Sequence, residues 1–288
     1  MKKRVYILST LIAALCITGC SKSSPVLASV QDDRIVLGYV DGDAELDVTT
    51  RATAVTSLSS FYAAATTGSA GSESSAFTST TFTDADSDGK YTGTPVWPSS
   101  SVTYNFYGSN LPITFAAAGS TVAATNSTDV VCAYSASATY KTKCDLTFNH
   151  VFARLGSVTT AAASGYTISS ITMSITPKTG GTYNIRTGAW SSQTTGSATS
   201  IANSTVGTKS NDIYLVPGDY TVTLGWTATK GAYSQTFSGQ TKSVTLVGGR
   251  INSITATLGG NAQDIQFGVS ITAWSANSIE FSMPSGGV

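Results

Sequence analysis

The chain has 288 residues, 41% of them hydrophobic and only 11% charged, and its 16 basic and 16 acidic residues give a formal net charge of zero. That balance offers no basic patch for nucleic acid and no acidic tail, and it removes electrostatic steering toward a charged partner. The apolar content suffices for one or two sizeable cores, and Ser, Thr, Gly and Asn must cover the surface in place of Lys and Glu.

The chain opens on Lys2, Lys3 and Arg4 and then runs apolar from Val5 to Ile17. A basic start before an apolar run well short of the ~20 residues of a spanning helix is the pattern of a signal peptide. The segment Ile17-Thr18-Gly19-Cys20 resembles the lipobox of bacterial lipoproteins, which implies cleavage between Gly19 and Cys20 and acylation of the Cys20 thiol. Residues 1–19 are therefore read as a signal peptide that takes Cys16 with it, and 20–30 as the lipidated cysteine and a small, polar tether. More than one acyl chain, at ~0.8 kcal/mol per buried methylene, gives durable anchoring. The mature protein is expected to be tethered to a membrane, not embedded in it.

Beyond the tether, strand signals run almost without interruption. Arg34 to Val40 is a short apolar run ended by the turn signature Asp41-Gly42-Asp43. Val102 to Tyr107 alternates with period two, as do Tyr220 to Trp226 and Ser243 to Val247. Tyr166 to Ile175 alternates as well, with a bulge expected at Ser169-Ser170. No long stretch carries a helical period, and Asn149 to Leu155 is read as a short helical turn at most. Short alternating runs between Gly, Pro, Asn and Asp clusters predict an all-β protein, with two β-sandwich domains in series over 31–142 and 143–288.

Little in the chain points to catalysis. His150 is the only histidine, and it sits in the apolar, strand-like context Leu146 to Phe152, where a packed imidazole is expected. No nucleotide, dinucleotide or nucleophile-elbow motif occurs, so the reading is of a protein that is not an enzyme and needs no cofactor. Asp84, Asp86 and Asp88 before Gly89 open like an EF-hand loop, yet the position that should supply the bidentate Glu is Pro95. That segment is read as a solvated turn between two strands, with weak calcium binding as the alternative. Cys132 and Cys144 would face an oxidising compartment after export; a disulfide is expected, with two free buried thiols as the alternative. Trp97, Trp190, Trp226 and Trp274 lie in or beside strand patterns, which favours core packing over a sugar-stacking platform.

Several segments in order resemble the fimbrillin superfamily, the lipoprotein pilins of Bacteroidales. They are Thr50-Arg51-Ala52 with Leu58 to Ala64, Pro95-Val96-Trp97-Pro98 leading into Val102 to Tyr107, and Asp145 to Leu155. Tyr214 to Tyr220, Val247 to Asn252 and Val269 to Trp274 continue the series through the second half. The resemblance implies two transthyretin-like β-sandwich domains and a subunit of a surface fimbria. It also implies other fimbrial subunits as partners, outer-membrane lipid held through acylated Cys20, and a surface arginine-specific protease.

In that family the protease cuts after an arginine near the end of the first strand and removes strand and lipid together; Arg51-Ala52 matches the position, with Arg34 as another option. Ile35, Leu37 and Tyr39 share one face of the strand to be removed. Each such side chain is worth about 1.5–3 kcal/mol when buried, so its loss opens an apolar groove and an unpaired edge. The family's usual donor is the C-terminal segment, here Ser278 to Met283, with Ile279, Phe281 and Met283 on one face. The precursor is then expected at the cell outer membrane and the processed subunit in a cell-surface fimbrium. The rival readings are a monomeric surface lipoprotein that binds glycan or protein, and a tip or accessory subunit that never polymerises.

Overall fold

In the computed structural model, which describes residues 33–41, 58–87 and 89–273, the alternating runs fold as strands. The first half supplies β1 (Arg34–Asp41), β2 (Ser60–Thr67), β3 (Ser74–Thr83), β4 (Lys90–Val96), β5 (Tyr104–Ser109), β6 (Thr121–Thr125), β7 (Val131–Ala138) and β8 (Cys144–His150). The second supplies β9 (Ala153–Ala162), β10 (Thr167–Ile175), β11 (Lys178–Asn184), β12 (Trp190–Thr195) and β13 (Thr199–Ser200). It continues with β14 (Gly207–Leu215), β15 (Gly218–Lys230), β16 (Tyr233–Leu246), β17 (Arg250–Leu258) and β18 (Gln266–Ala273). Among the described residues the only helical element is one 3-10 turn, Ala262–Asp264, so the all-β expectation holds.

Strand β8 shows how local pattern becomes architecture. Cys144, Leu146, Phe148 and His150 are buried while Asp145, Thr147 and Asn149 are exposed, the period-two alternation of a sheet with one wet face. Its neighbours complete a closed hydrogen-bonded circuit in the order β1-β4-β3-β2-β5-β7-β8. An aromatic-rich core fills the circuit, with Phe61, Phe82, Tyr104, Phe106 and Phe148 at 2% exposure or less. In the second half, sheets β13-β10-β15-β16 and β14-β9-β17-β18 share one core that includes Leu155, Val158, Met173, Trp226 and Ile254, a sandwich arrangement.

A third, three-stranded sheet, β12-β11-β6, joins the halves, because β6 of the first pairs with β11 of the second. A separate cluster of Tyr107, Val122, Val130, Phe152, Ile185 and Val216 lies beside it, and the described residues from Arg34 onward belong to one compact unit. The boundary expected at residue 142 falls in the turn between β7 and β8, and β8 still pairs with β1 and β7. The chain leaves the barrel after His150 instead. The segment Asn149 to Leu155 is no helical turn: it runs from the end of β8 into β9. The bulge expected in β10 is present, with a register shift between Ser169 and Thr172 and Ser170 at φ 52°.

Several tyrosines bury their rings at junctions between strands, and Tyr107 and Tyr220 each commit the hydroxyl to a hydrogen bond. The Tyr220 hydroxyl donates to the Val216 carbonyl at 2.6 Å, which pins the corner before β15. Burial pushes the Tyr220 and Tyr183 phenols up to about 12, and raises Tyr107 further, helped by its hydrogen bond to Glu73. A folded value above the ordinary 10.0 means that the folded state favours the neutral phenol. The stability this adds is complete below the unfolded value and is lost as pH rises through the folded values. The urea midpoint should therefore fall with rising pH above about 10, and a urea titration run up to pH 12 measures it.

Candidate functional site

The first strand and its seat form the most distinctive feature of the barrel. Strand β1 lies between β4, which it pairs antiparallel, and β8, which it pairs in parallel from Leu37↔Cys144 to Asp41↔Phe148. Its alternation sends Ile35 and Leu37 into the core at 0% exposure. Tyr39 packs against the same core, stacked on Phe148 with ring centroids 5.1 Å apart. Phe148 in turn meets Phe61 at 4.9 Å, so the three predicted first-strand residues rest on the central aromatic cluster. Outside, Gly38 lies beneath an ion pair between Lys143 and Asp145 (2.7 Å), and a Cβ there would run into the Asp145 carboxylate.

This geometry has a chemical consequence without any catalytic group. Lifting β1 out exposes the pockets of Ile35, Leu37 and Tyr39 and leaves one edge each on β4 and β8 unpaired. The remaining strands, β4-β3-β2-β5-β7-β8, stay hydrogen-bonded to one another in an open sheet. The sole backbone partners lost are those along β1, and they can be restored by any extended segment of matching alternation.

Of the other expected residues, Cys20, Gly19, Arg51, Ala52, Asp88, Trp274, Ile279, Phe281 and Met283 lie outside the described residues. Asp84 accepts a hydrogen bond from the Gly89 amide at 3.0 Å, as a turn residue does. Among the described residues no group of three His, Cys, Asp or Glu side chains stands at metal-holding distance. His150 is buried with Nδ1 2.8 Å from Asp129 Oδ1, as a packed imidazole. Trp97 packs edge-on against Tyr104 and Phe106, Trp226 stacks on Phe237, and Trp190 packs with Phe152 and Tyr183, so these three rings serve cores.

The expected disulfide is not formed: Cys132 and Cys144 are free and buried. The register explains it. Cys132 stands opposite Asn149, which lies five positions along β8 from Cys144, about 17 Å at strand rise. The odd offset also puts the two thiols on opposite faces of the sheet, whereas a disulfide needs Cα atoms within roughly 7 Å. Burial pushes the Cys132 thiol up to about 12 and raises Cys144 too. Neither thiol should react with a thiol reagent in the folded protein, and a reductant should leave the melting temperature unchanged.

Two residues given no role by sequence reasoning, Glu73 and Arg186, form an ion pair around a fully buried carboxylate. Glu73, in the loop between β2 and β3, has a side chain at 0% exposure and accepts from Asn105 Nδ2 (3.0 Å), the Tyr107 hydroxyl (2.6 Å) and Arg186 Nη1. The Arg186 guanidinium also lies over the Tyr134 ring at 5.2 Å. The available signal was the isolation of one acid in the small-residue run Gly68 to Ser75, in a chain poor in charge. Its partner lies 113 residues away, beyond any local pattern.

Residues 49–274 match the model of a family described as fimbrillin-like. Among solved structures the chain is similar to a fimbrial protein from Bacteroides vulgatus, at 12% identity and a TM-score of 0.54, over 84% of this chain and 99% of that one. It is also similar to a fimbrial assembly protein from Parabacteroides distasonis, at 9% identity and a TM-score of 0.41, over 82% of this chain and 94% of that one. No curated protein sequence matches it.

Proposed function

The chain belongs to the fimbrillin-like family, and from that premise we propose that it is a structural fimbrial subunit, exported as a lipoprotein precursor and assembled by protease-triggered strand exchange. At the coarser level it is a fimbrial or adhesion-related protein of the cell surface and not an enzyme. The observation that carries the finer reading is the seat of β1, a strand first in the barrel's sequence order, buried through Ile35 and Leu37, whose departure leaves every other strand paired.

In this reading Cys20 is acylated, residues 20–30 tether the precursor to the outer membrane, and a cut at Arg51-Ala52 releases β1 together with the lipid. A neighbouring subunit's Ser278 to Met283 then enters the vacated groove, with Ile279, Phe281 and Met283 replacing Ile35, Leu37 and Tyr39. The packing of Trp97, Trp190 and Trp226 in cores argues against an aromatic glycan platform on these residues.

Limited trypsin digestion of the folded precursor lacking its signal peptide tests the proposal, with N-terminal sequencing and sizing of the products. A new terminus at Ala52 and then ladders of multimers are expected. Resistance at Arg51, or a cut that leaves a stable monomer, would overturn assembly by this route and favour a tip subunit or a monomeric surface binder.

A further inference from the structure

A protein activated by cleavage after one arginine must protect the others. Among the described residues the arginines are Arg34, Arg154, Arg186 and Arg250, and three of them lie within paired strands. Arg154 is also 8% exposed, with Nε donating to Asp212 Oδ1 at 2.6 Å. Arg186 alone sits in a surface turn, between β11 and β12, the kind of segment that proteases nick most readily.

That turn is held at both places a protease must grip. An arginine-specific enzyme needs the guanidinium free to enter its acidic pocket, and here Glu73 holds Arg186 Nη1 while Tyr134 covers one face. It also needs the backbone around the scissile bond extended. Asn184 Oδ1 accepts from the amides of both Arg186 and Thr187 at 3.0 Å, so both residues flanking the bond are fixed in the turn. The Asn184 amide donates to the carbonyls of Ala118 and Gly119, which anchors the turn to the first half. Gly119 is at φ 113°, and a Cβ there would press on Asn184 Oδ1 at 2.8 Å, so glycine is required for the clamp.

We infer that Glu73 and Asn184 form a protease guard, which confines arginine-specific processing by sequestering Arg186 and the Arg186–Thr187 bond. The inference rests on the proposed processing but concerns the bond that is spared, not the assembly that the cut at Arg51 sets off. The chemistry is peptide hydrolysis, water adding across Arg186–Thr187 to leave a carboxyl on Arg186 and an amine on Thr187. In the native protein that bond becomes available only when the turn opens, so its cleavage tracks the population of the open form.

The test is digestion of the full mature chain by an arginine-specific endoprotease well below the melting temperature, with N-terminal sequencing of the fragments. Wild type should yield no terminus at Thr187. Glu73→Ala and Asn184→Ala should each yield that terminus at least tenfold faster, ahead of any cut at Arg154 or Arg250. Adding Arg186→Gln to either variant should abolish the fragment without restoring its melting temperature. In wild type under rising urea, Arg186 should be cut only together with Arg154 and Arg250, in the global transition. Ready cleavage of native wild type at Arg186, folded variants that resist there, or an early Arg186 cut in urea would each overturn the guard. Failure to polymerise after a correct cut at Arg51 would count against the fimbrial assembly reading alone, leaving the guard intact.

Discussion

Leu37→Ala in the unprocessed, full-length chain should lower its stability by roughly 2–5 kcal/mol, the range for emptying a buried leucine site. The reason is the position of β1 in the barrel. Leu37 has 0% exposure and faces a core already crowded by Phe61, Phe82 and Phe148, which cannot collapse to fill the gap without moving several rings. Val36, on the half-buried outer face of the same strand, is the internal control: Val36→Ala should cost less than about 1 kcal/mol. Urea unfolding at neutral pH measures both. If strand exchange operates, the Leu37 variant should also surrender β1 more readily after cleavage, so multimers form sooner than in wild type. An equal loss from both variants would mean that β1 is not seated by its inner face.

Much of this arrangement is legible in the residues, and the parts that are not share a cause. Strand β10 announces itself because it has one dry and one wet face, which stamps period two on the sequence. Strand β5 is instead buried on both faces, and alternates because Tyr104 and Phe106 enter the barrel core while Asn105 meets Glu73 on the other side. Even the β10 bulge shows locally, as two serines that break the alternation. By contrast β11 reads Lys-Thr-Gly-Gly-Thr-Tyr-Asn and β12 reads Trp-Ser-Ser-Gln-Thr-Thr, with no alternation to detect. These strands form because β6 supplies an edge, and that is a tertiary fact. Strands β15 and β16 run farther than their apolar cores, to Lys230 and back from Tyr233, since their tips pair with each other while largely facing solvent.

Closure of the barrel is equally non-local. The parallel β1–β8 pairing joins residues more than a hundred positions apart, and nothing in Cys144 to His150 names its partner. The cysteines illustrate the same limit. Their spacing in sequence invites a hairpin disulfide, but the register and the pleat decide the outcome and send the thiols to opposite faces. The family resemblance reached further than the pattern because the order of its short segments carries the fold as a whole. The seat of the first strand could be named from Ile35, Leu37 and Tyr39, whereas the neighbours that make it a seat, Phe61 and Phe148, could not.

The second large effect is expected at Arg186. Arg186→Ala should destabilise the protein by about 3–5 kcal/mol, because it strands the Glu73 carboxylate at 0% exposure without its cationic partner. The reverse change is less costly by this argument. Removing Glu73 leaves a guanidinium whose side chain is 21% exposed and can turn toward water, though Asn105 and Tyr107 each lose an acceptor. The two single variants should therefore be unequal, with Arg186→Ala the worse. The double variant should cost less than their sum by about 0.5–3 kcal/mol, the signature of residues acting as one unit. Urea unfolding of the two singles and the double closes the cycle. Additive losses would mean that Glu73 is held by Asn105 and Tyr107 alone, and that the halves are fastened by the β6–β11 pairing and the cluster around Phe152 without help from the charge pair.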